Sequence, residues 1–296
     1  MLRFILHDVK KIAFLFVLMG FLVLSFLSSS NPKIKGAIPE PVELTILPIA
    51  IAITELETDE NGYTGYRHVL DSLIQQKGFI DYLKSEKKSI PYNIDLTQGV
   101  LAAQSINDIS DSKLYLVRED LGIVDYYKLS FTLFGYNTDG FIYLYYLLLT
   151  VSLIIYTARF FNNFDKLNYL VLFMISHWVV ISVLPSIGDE LLTVYNRRSL
   201  PILSIIPTIY IVISIIESRR LNTFGLIMLI TQIAILMFVF HSRSSASYQF
   251  LFIYTSFFIV FLLRRKIKFN NLTVKKSAIL SIFFVSLAML LLKGYM

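Results

Sequence analysis

The chain has 296 residues, of which 55% are hydrophobic and 16% charged, where ordinary soluble domains carry about 25% charged residues. This composition, with a mean hydropathy of +0.64, excludes a disordered chain, a disulfide scaffold and a conventional cytosolic enzyme, and leaves a polytopic membrane protein. A net charge of +6 suggests a nucleic-acid binder only if its distribution is ignored.

Membrane helices need roughly 20 mostly apolar residues. In chain order, the candidate stretches are residues 12–27, 141–158, 167–184, 201–216, 223–240, 249–263 and 277–292. The first follows Arg3, Lys10 and Lys11, a basic flank typical of a signal sequence. The stretch Ser28-Ser29-Ser30-Asn31-Pro32 lacks a small-x-small cleavage site, so the run reads as an uncleaved signal anchor.

Residues 28–140 separate the first two spans. They hold ten bases and sixteen acids, a net charge of −6, while the remainder carries +12. Residues 31–41 are a linker rich in Pro and Lys. Residues 43–57 contain an apolar run interrupted by Pro48, and a strand or a buried lining segment is expected there. Residues 63–77 place Tyr66, Val69, Leu70, Leu73 and Ile74 on one helical face, with Gly78 as a stop. Residues 120–134 read as an amphipathic helix at the membrane interface, ended by Gly135.

Lys/Arg bias in short flanks sets orientation. With the N-terminus inside, thirteen Lys and Arg residues fall on cytoplasmic flanks and four (Arg197, Arg198, Arg243 and Lys293) on short external ones. The expected fold is therefore mainly α: a polytopic α-helical membrane protein of about seven transmembrane helices, with a small mixed external domain between helices 1 and 2. Its parts are a signal anchor (1–27), an external, periplasmic soluble domain (28–140) and a six-helix bundle (141–296). The expected location is a bacterial inner membrane, with a cytoplasmic N-terminus and an external C-terminus. The positive charge sits mainly on flanks that set orientation, so no nucleic-acid partner is expected.

Dinucleotide, phosphate-loop, GxSxG and HExxH motifs are absent, as is cysteine. His68 and Asp71 stand at i, i+3 on the expected helix; a metal would need further ligands, and a surface His beside a carboxylate is the plainer reading. His177, inside the third span, is either a hydrogen bond within the bundle, the default, or a proton relay. Arg197, Arg198, His241 and Arg243 lie at external membrane-surface positions. Arginine forks and the serines beside Arg243 suit phosphate oxygens. The competing reading is ion pairing to Asp189, Glu190 or the acidic domain. Asp59 and Glu60, and further on Glu119, Asp120 and Asp125, are acids that precede the two helices of the external segment. Facing a phosphate site, one of them would serve as a general base toward a sugar hydroxyl; otherwise they form a solvated acidic loop.

An external loop opens with acids in Thr58-Asp-Glu-Asn-Gly-Tyr-Thr-Gly-Tyr66 and runs through Gln75-Gln-Lys-Gly-Phe79. It closes with Asp120-Leu-Gly-Ile-Val-Asp-Tyr-Tyr-Lys-Leu-Ser-Phe-Thr-Leu-Phe-Gly-Tyr-Asn137 directly before a long span. Over roughly residues 55–160 this resembles the first external loop of C-type glycosyltransferases, polytopic enzymes that take a sugar from a polyprenyl-phosphate carrier. The resemblance implies that Asp59 or Glu60 is the catalytic acid, acting as base. It also implies, by location, that Arg197, Arg198 and Arg243, with His241, hold the lipid phosphate. No cofactor is expected, and a divalent metal is compatible but marked by no ligand cluster. The expected partners are membrane lipid, a polyprenyl-phosphate sugar and a protein bound through the acidic external domain. The alternative function is a non-catalytic, membrane-anchored binding or assembly component of an envelope complex. A transporter with His177 as relay ranks third.

Overall fold

The computed structural model describes residues 2–29, 42–57, 66–76, 94–105, 122–183, 197–217 and 223–242. They are almost entirely helical, without a strand; the one β feature among them is the isolated antiparallel bridge between Asp95 and Asn137.

In chain order the helices are α1 (Leu2–Ser29), α2 (Val42–Glu57), α3 (Tyr66–Gln75), α4 (Thr97–Gln104), α5 (Gly122–Phe134), α6 (Asp139–Phe160) and α7 (Phe164–Trp178). A π-helical turn, Val179–Val183, continues α7. A 3-10 turn, Arg197–Ser204, leads into α8 (Ile205–Glu217), and α9 (Thr223–Ser242) follows.

Among the described residues, three segments are long and apolar enough to cross a membrane: Lys11–Ser29, Asp139–Phe160 and Thr223–Ser242. Two shorter apolar helical segments, Lys166–Ile181 and Ser199–Ser214, accompany them. The five segments coincide in sequence with the first five expected stretches, three of them at spanning length, while residues 249–263 and 277–292 lie outside the described residues. Their outward faces are apolar: Phe16 is 74% exposed, Ile154 62% and Phe224 63%. Apolar side chains so exposed along helices of spanning length suit a hydrocarbon surrounding.

Contacts along the helices set their directions. Lys11, near the start of the first span, donates from Nζ to Asn162 Oδ1 at 3.0 Å and lies over the Phe161 ring. The far end of α1 meets the first half of α6, where Ser29 and the Tyr146 hydroxyl share a 2.7 Å hydrogen bond. These two helices are thus antiparallel. Tyr210 of α8 packs against Tyr156 and Phe160. Gln232 of α9 clasps Ser152 of α6 at mid-height, donating to its carbonyl (2.9 Å) and accepting from its hydroxyl (2.8 Å). One end of the bundle therefore gathers Lys11, Arg159 and Lys166, and the other gathers Ser29, Asp139 and His241.

Helices α2, α3 and α4 pack on one another as a separate layer, and α5 joins that layer to α6 and α9. The strand expectation for residues 43–57 is corrected: this segment is α2, with Pro48 inside it. The alternation Ile49-Ala-Ile-Ala-Ile53 mimics strand period. Every one of those residues is fully buried, however, and a helix enclosed on all sides shows no amphipathic stripe. The alanines admit close neighbours, and Pro48 removes a single backbone hydrogen bond rather than the helix. The buried-lining half of the expectation holds. The described part of residues 28–140 is consequently helical rather than mixed.

Gly135 ends α5 as expected. Its φ of +79° suits a residue without Cβ, and its N–H donates to the Phe131 carbonyl at 2.9 Å, an αL cap. The connector that follows is clamped by residues 94–96. Leu96 N donates to the Tyr136 carbonyl (2.9 Å), and Ile94 N donates to Thr138 Oγ1 (2.8 Å). Asn137 Oδ1 then accepts from Asp139 N as α6 begins.

Candidate functional site

Helix α5 is the structural hinge between the acidic layer and the bundle. Its buried face carries Ile123, Val124, Tyr126, Tyr127 and Phe131. Tyr127 and Phe131 meet Phe141 at ring distances of 4.4 and 5.6 Å, and the Tyr126 hydroxyl donates to the Phe141 carbonyl at 2.7 Å. Its first residue, Gly122, touches the last turn of α9. A Cβ on Gly122 would lie 2.0 Å from the His241 carbonyl oxygen, so the two backbones meet where only glycine fits.

A row of charged groups crosses this junction. His241 Nε2 of α9 lies 2.6 Å from Asp125 Oδ2 of α5. Asp125 Oδ1 is 3.3 Å from Lys128 Nζ, one turn along α5. Lys128 Nζ donates to Glu55 Oε2 of α2 at 2.8 Å. Burial draws the Lys128 ammonium toward the neutral form, but hydrogen bonds and charge from Glu55, then Asp125, outweigh it and hold its pKa above the usual lysine value. A second contact set lies beside the first. The Tyr136 hydroxyl donates to Glu57 Oε1, and Glu57 Oε2 accepts from Gln104 at 2.8 Å. Burial first, and then the Glu57 carboxylate, push the Tyr136 phenol well above its ordinary value.

Of the site residues expected from the sequence, Asp59, Glu60 and Arg243 lie outside the described residues, as do Glu119, Asp120, Asp189 and Glu190. The backbones of Arg197 and Arg198 open the 3-10 turn, while their side chains lie outside the described part. That turn leads into α8, whose Tyr210 packs against Phe160. His241 is half-exposed, and its observed partner is a carboxylate of the acidic segment. Asp125 stands in the first turn of α5 rather than ahead of it.

Glu55, Glu57 and Lys128 were missed by sequence reasoning. Their partners are up to 79 residues away, and no local pattern marks them. His68 Nε2 reaches the Ser105 hydroxyl at 3.4 Å. Among the described residues no three or more His, Asp or Glu side chains gather as a metal site.

Two other features complete this end of the molecule. His177, 2% exposed, has Nε2 3.1 Å from the Tyr145 hydroxyl and Nδ1 3.3 Å from the Ser25 hydroxyl. This is the bundle hydrogen bond expected as its default, and it ties α1 and α7 to α6. Beside it, a shallow apolar groove of about 410 Å³ opens between α1 and α6, lined by Leu22, Phe26, Phe134, Tyr143, Tyr146 and Leu147.

The arrangement defines a helical protein with segments long and apolar enough to cross a membrane, bearing an acidic helical layer at one bundle end. No protein-family model, curated protein or solved structure matches the chain.

Proposed function

We propose that the chain acts on a polyprenyl-phosphate-linked saccharide at the outer face of a bacterial inner membrane, by glycosyl transfer. The observation that carries this reading is a juxtaposition. The acidic layer, the His241 imidazole and an apolar groove open to hydrocarbon share one end of the bundle. A lipid-linked sugar needs an apolar track for its tail, cations for its phosphate and a carboxylate for the acceptor hydroxyl. In this reading Arg197, Arg198, His241 and Arg243 hold the phosphate, and Asp59 or Glu60 removes the acceptor proton. Both acids follow α2 by a few residues, and α2 is anchored to this end through Glu55 and Glu57.

The orientation belongs to the same proposal. The end holding Lys11, Arg159 and Lys166 is placed in the cytoplasm, and the acidic layer outside. The test is the double variant Asp59→Asn with Glu60→Gln, assayed for sugar transfer from a polyprenyl-phosphate donor in membranes. Transfer is expected to vanish while the protein inserts and folds normally; full activity would refute the mechanism.

A second reading is favoured by one observation: the described acids Glu55, Glu57 and Asp125 are all engaged in internal contacts. In that reading the layer is a binding or assembly module for an envelope partner. Acid-to-amide changes at Asp59 and Glu60 would then be silent, and the full chain would co-purify with a protein partner.

A further inference from the structure

We infer that the bundle end opposite the acidic layer holds the phosphate of an anionic membrane phospholipid on the Lys11 ammonium. The inference rests on Lys11–Ser29 and Asp139–Phe160 as membrane spans. It is independent of the glycosyl-transfer reading, since it needs none of that reading's acids or arginines.

The starting observation is a buried charge with neutral neighbours. Lys11 is only 8% exposed. Its Nζ donates to Asn162 Oδ1 at 3.0 Å and stands 4.7 Å from the centre of the Phe161 ring. A carboxamide oxygen and a ring face both attract a cation, but neither neutralises it. An ammonium carries three donors, and the Asn162 bond uses one. Among the described residues no carboxylate pairs with it. A charge withdrawn this far from water is costly unless an anion completes its surroundings.

The place suits a phospholipid head group. Lys11 opens one segment of spanning length, and Phe161 and Asn162 directly follow the end of another. Their contact therefore falls at the level where hydrocarbon gives way to phosphate. Phe161, at 36%, and Asn162 are exposed, so the rim around the ammonium is open. Helix α7 starts at the same turn, capped by Asn163, and the positive end of its dipole adds to the field there. Lys166 lies over the adjoining Phe160 ring. Residues 1–11 and 159–166, which form this end, hold five bases (Arg3, Lys10, Lys11, Arg159 and Lys166) and two acids, Asp8 and Asp165. The side chains of both acids lie outside the described part. Even with each of them paired inside the protein, three positive charges remain, which is the complement of an anionic head group.

The experiment titrates the full chain in detergent with phosphatidylglycerol or with phosphatidylcholine, each with and without millimolar inorganic phosphate, and counts bound lipid by native mass spectrometry. The wild type is expected to prefer phosphatidylglycerol about fivefold at one site, the contribution of one basic group at a membrane surface. Lys11→Gln should bring the two lipids near parity, and Lys11→Arg should keep the preference. Asn162→Asp sets a carboxylate against the ammonium and should also abolish the preference. Equal binding of the two lipids by the wild type would overturn the inference. Displacement of phosphatidylglycerol by inorganic phosphate would assign the ammonium to a soluble anion and overturn the lipid. A preference kept by either folded variant, Lys11→Gln or Asn162→Asp, would assign it to the surrounding bases and overturn the site. Should Lys11→Gln fail to fold, Asn162→Asp decides, because position 162 is exposed.

Discussion

Two polar regions of this molecule are built on opposite rules. Inside the bundle, polar contacts are neutral, buried and closed: His177 with Tyr145 and Ser25, and Gln232 with Ser152. At the bundle end they are charged and partly exposed, running from half-exposed His241 and Asp125 through Lys128 to the more buried Glu55. A polar group among apolar helices is stabilising only when each of its bonds is made, so such pairs tie helices together and offer nothing to a ligand. Charge at an edge keeps part of its hydration and part of its bonding capacity.

The largest expected break of this contrast is at the contact between the two regions. Gly122→Val puts a branched side chain onto the His241 carbonyl. It should separate α5 from α9 and cost about 3 kcal/mol, seen as a fall in the thermal unfolding midpoint in detergent. Next comes the closed region. His177→Ala leaves the Tyr145 and Ser25 hydroxyls short of a partner in an apolar setting, with a loss of about 2 kcal/mol by the same measurement and no change in phosphate-lipid affinity. The smallest effect belongs to the open region. Lys128→Met should cost about 1 kcal/mol, because its partners keep partial access to water. The pH dependence of the Lys128 contribution has a definite sign. Its pKa is raised in the fold, so the stabilisation is fully present below the ordinary lysine value of 10.5 and is lost as pH rises through the folded value. A chain that loses this contribution near neutral pH would refute the assigned pairing with Glu55.

Legibility from sequence followed burial geometry. The five described apolar segments and α5 could be read because each is either long and apolar or exposes a polar face beside a buried one. Gly135 could be read as a stop because its backbone needs a positive φ. Of the two expectations for α2, the strand failed and the buried lining segment held, because the Ile49–Ile53 turns are enclosed and enclosure erases the helical stripe that periodicity detects. In the candidate site, His241 and Asp125 were each singled out, but not as a pair, since 116 residues separate them. Glu55 and Lys128, 73 residues apart, carried no local mark at all.

Composition and spacing alone marked helices long and apolar enough to cross a membrane, with an acidic segment between the first two of them, because apolar length is a local property of each stretch. Which charges meet was decided only by the tertiary structure. Helix α5 bridges the acidic layer and the bundle because Gly122 lets its backbone reach the end of α9. Electrostatic pairing depends on distance in space, and the packing that sets this distance has no signature within any one segment.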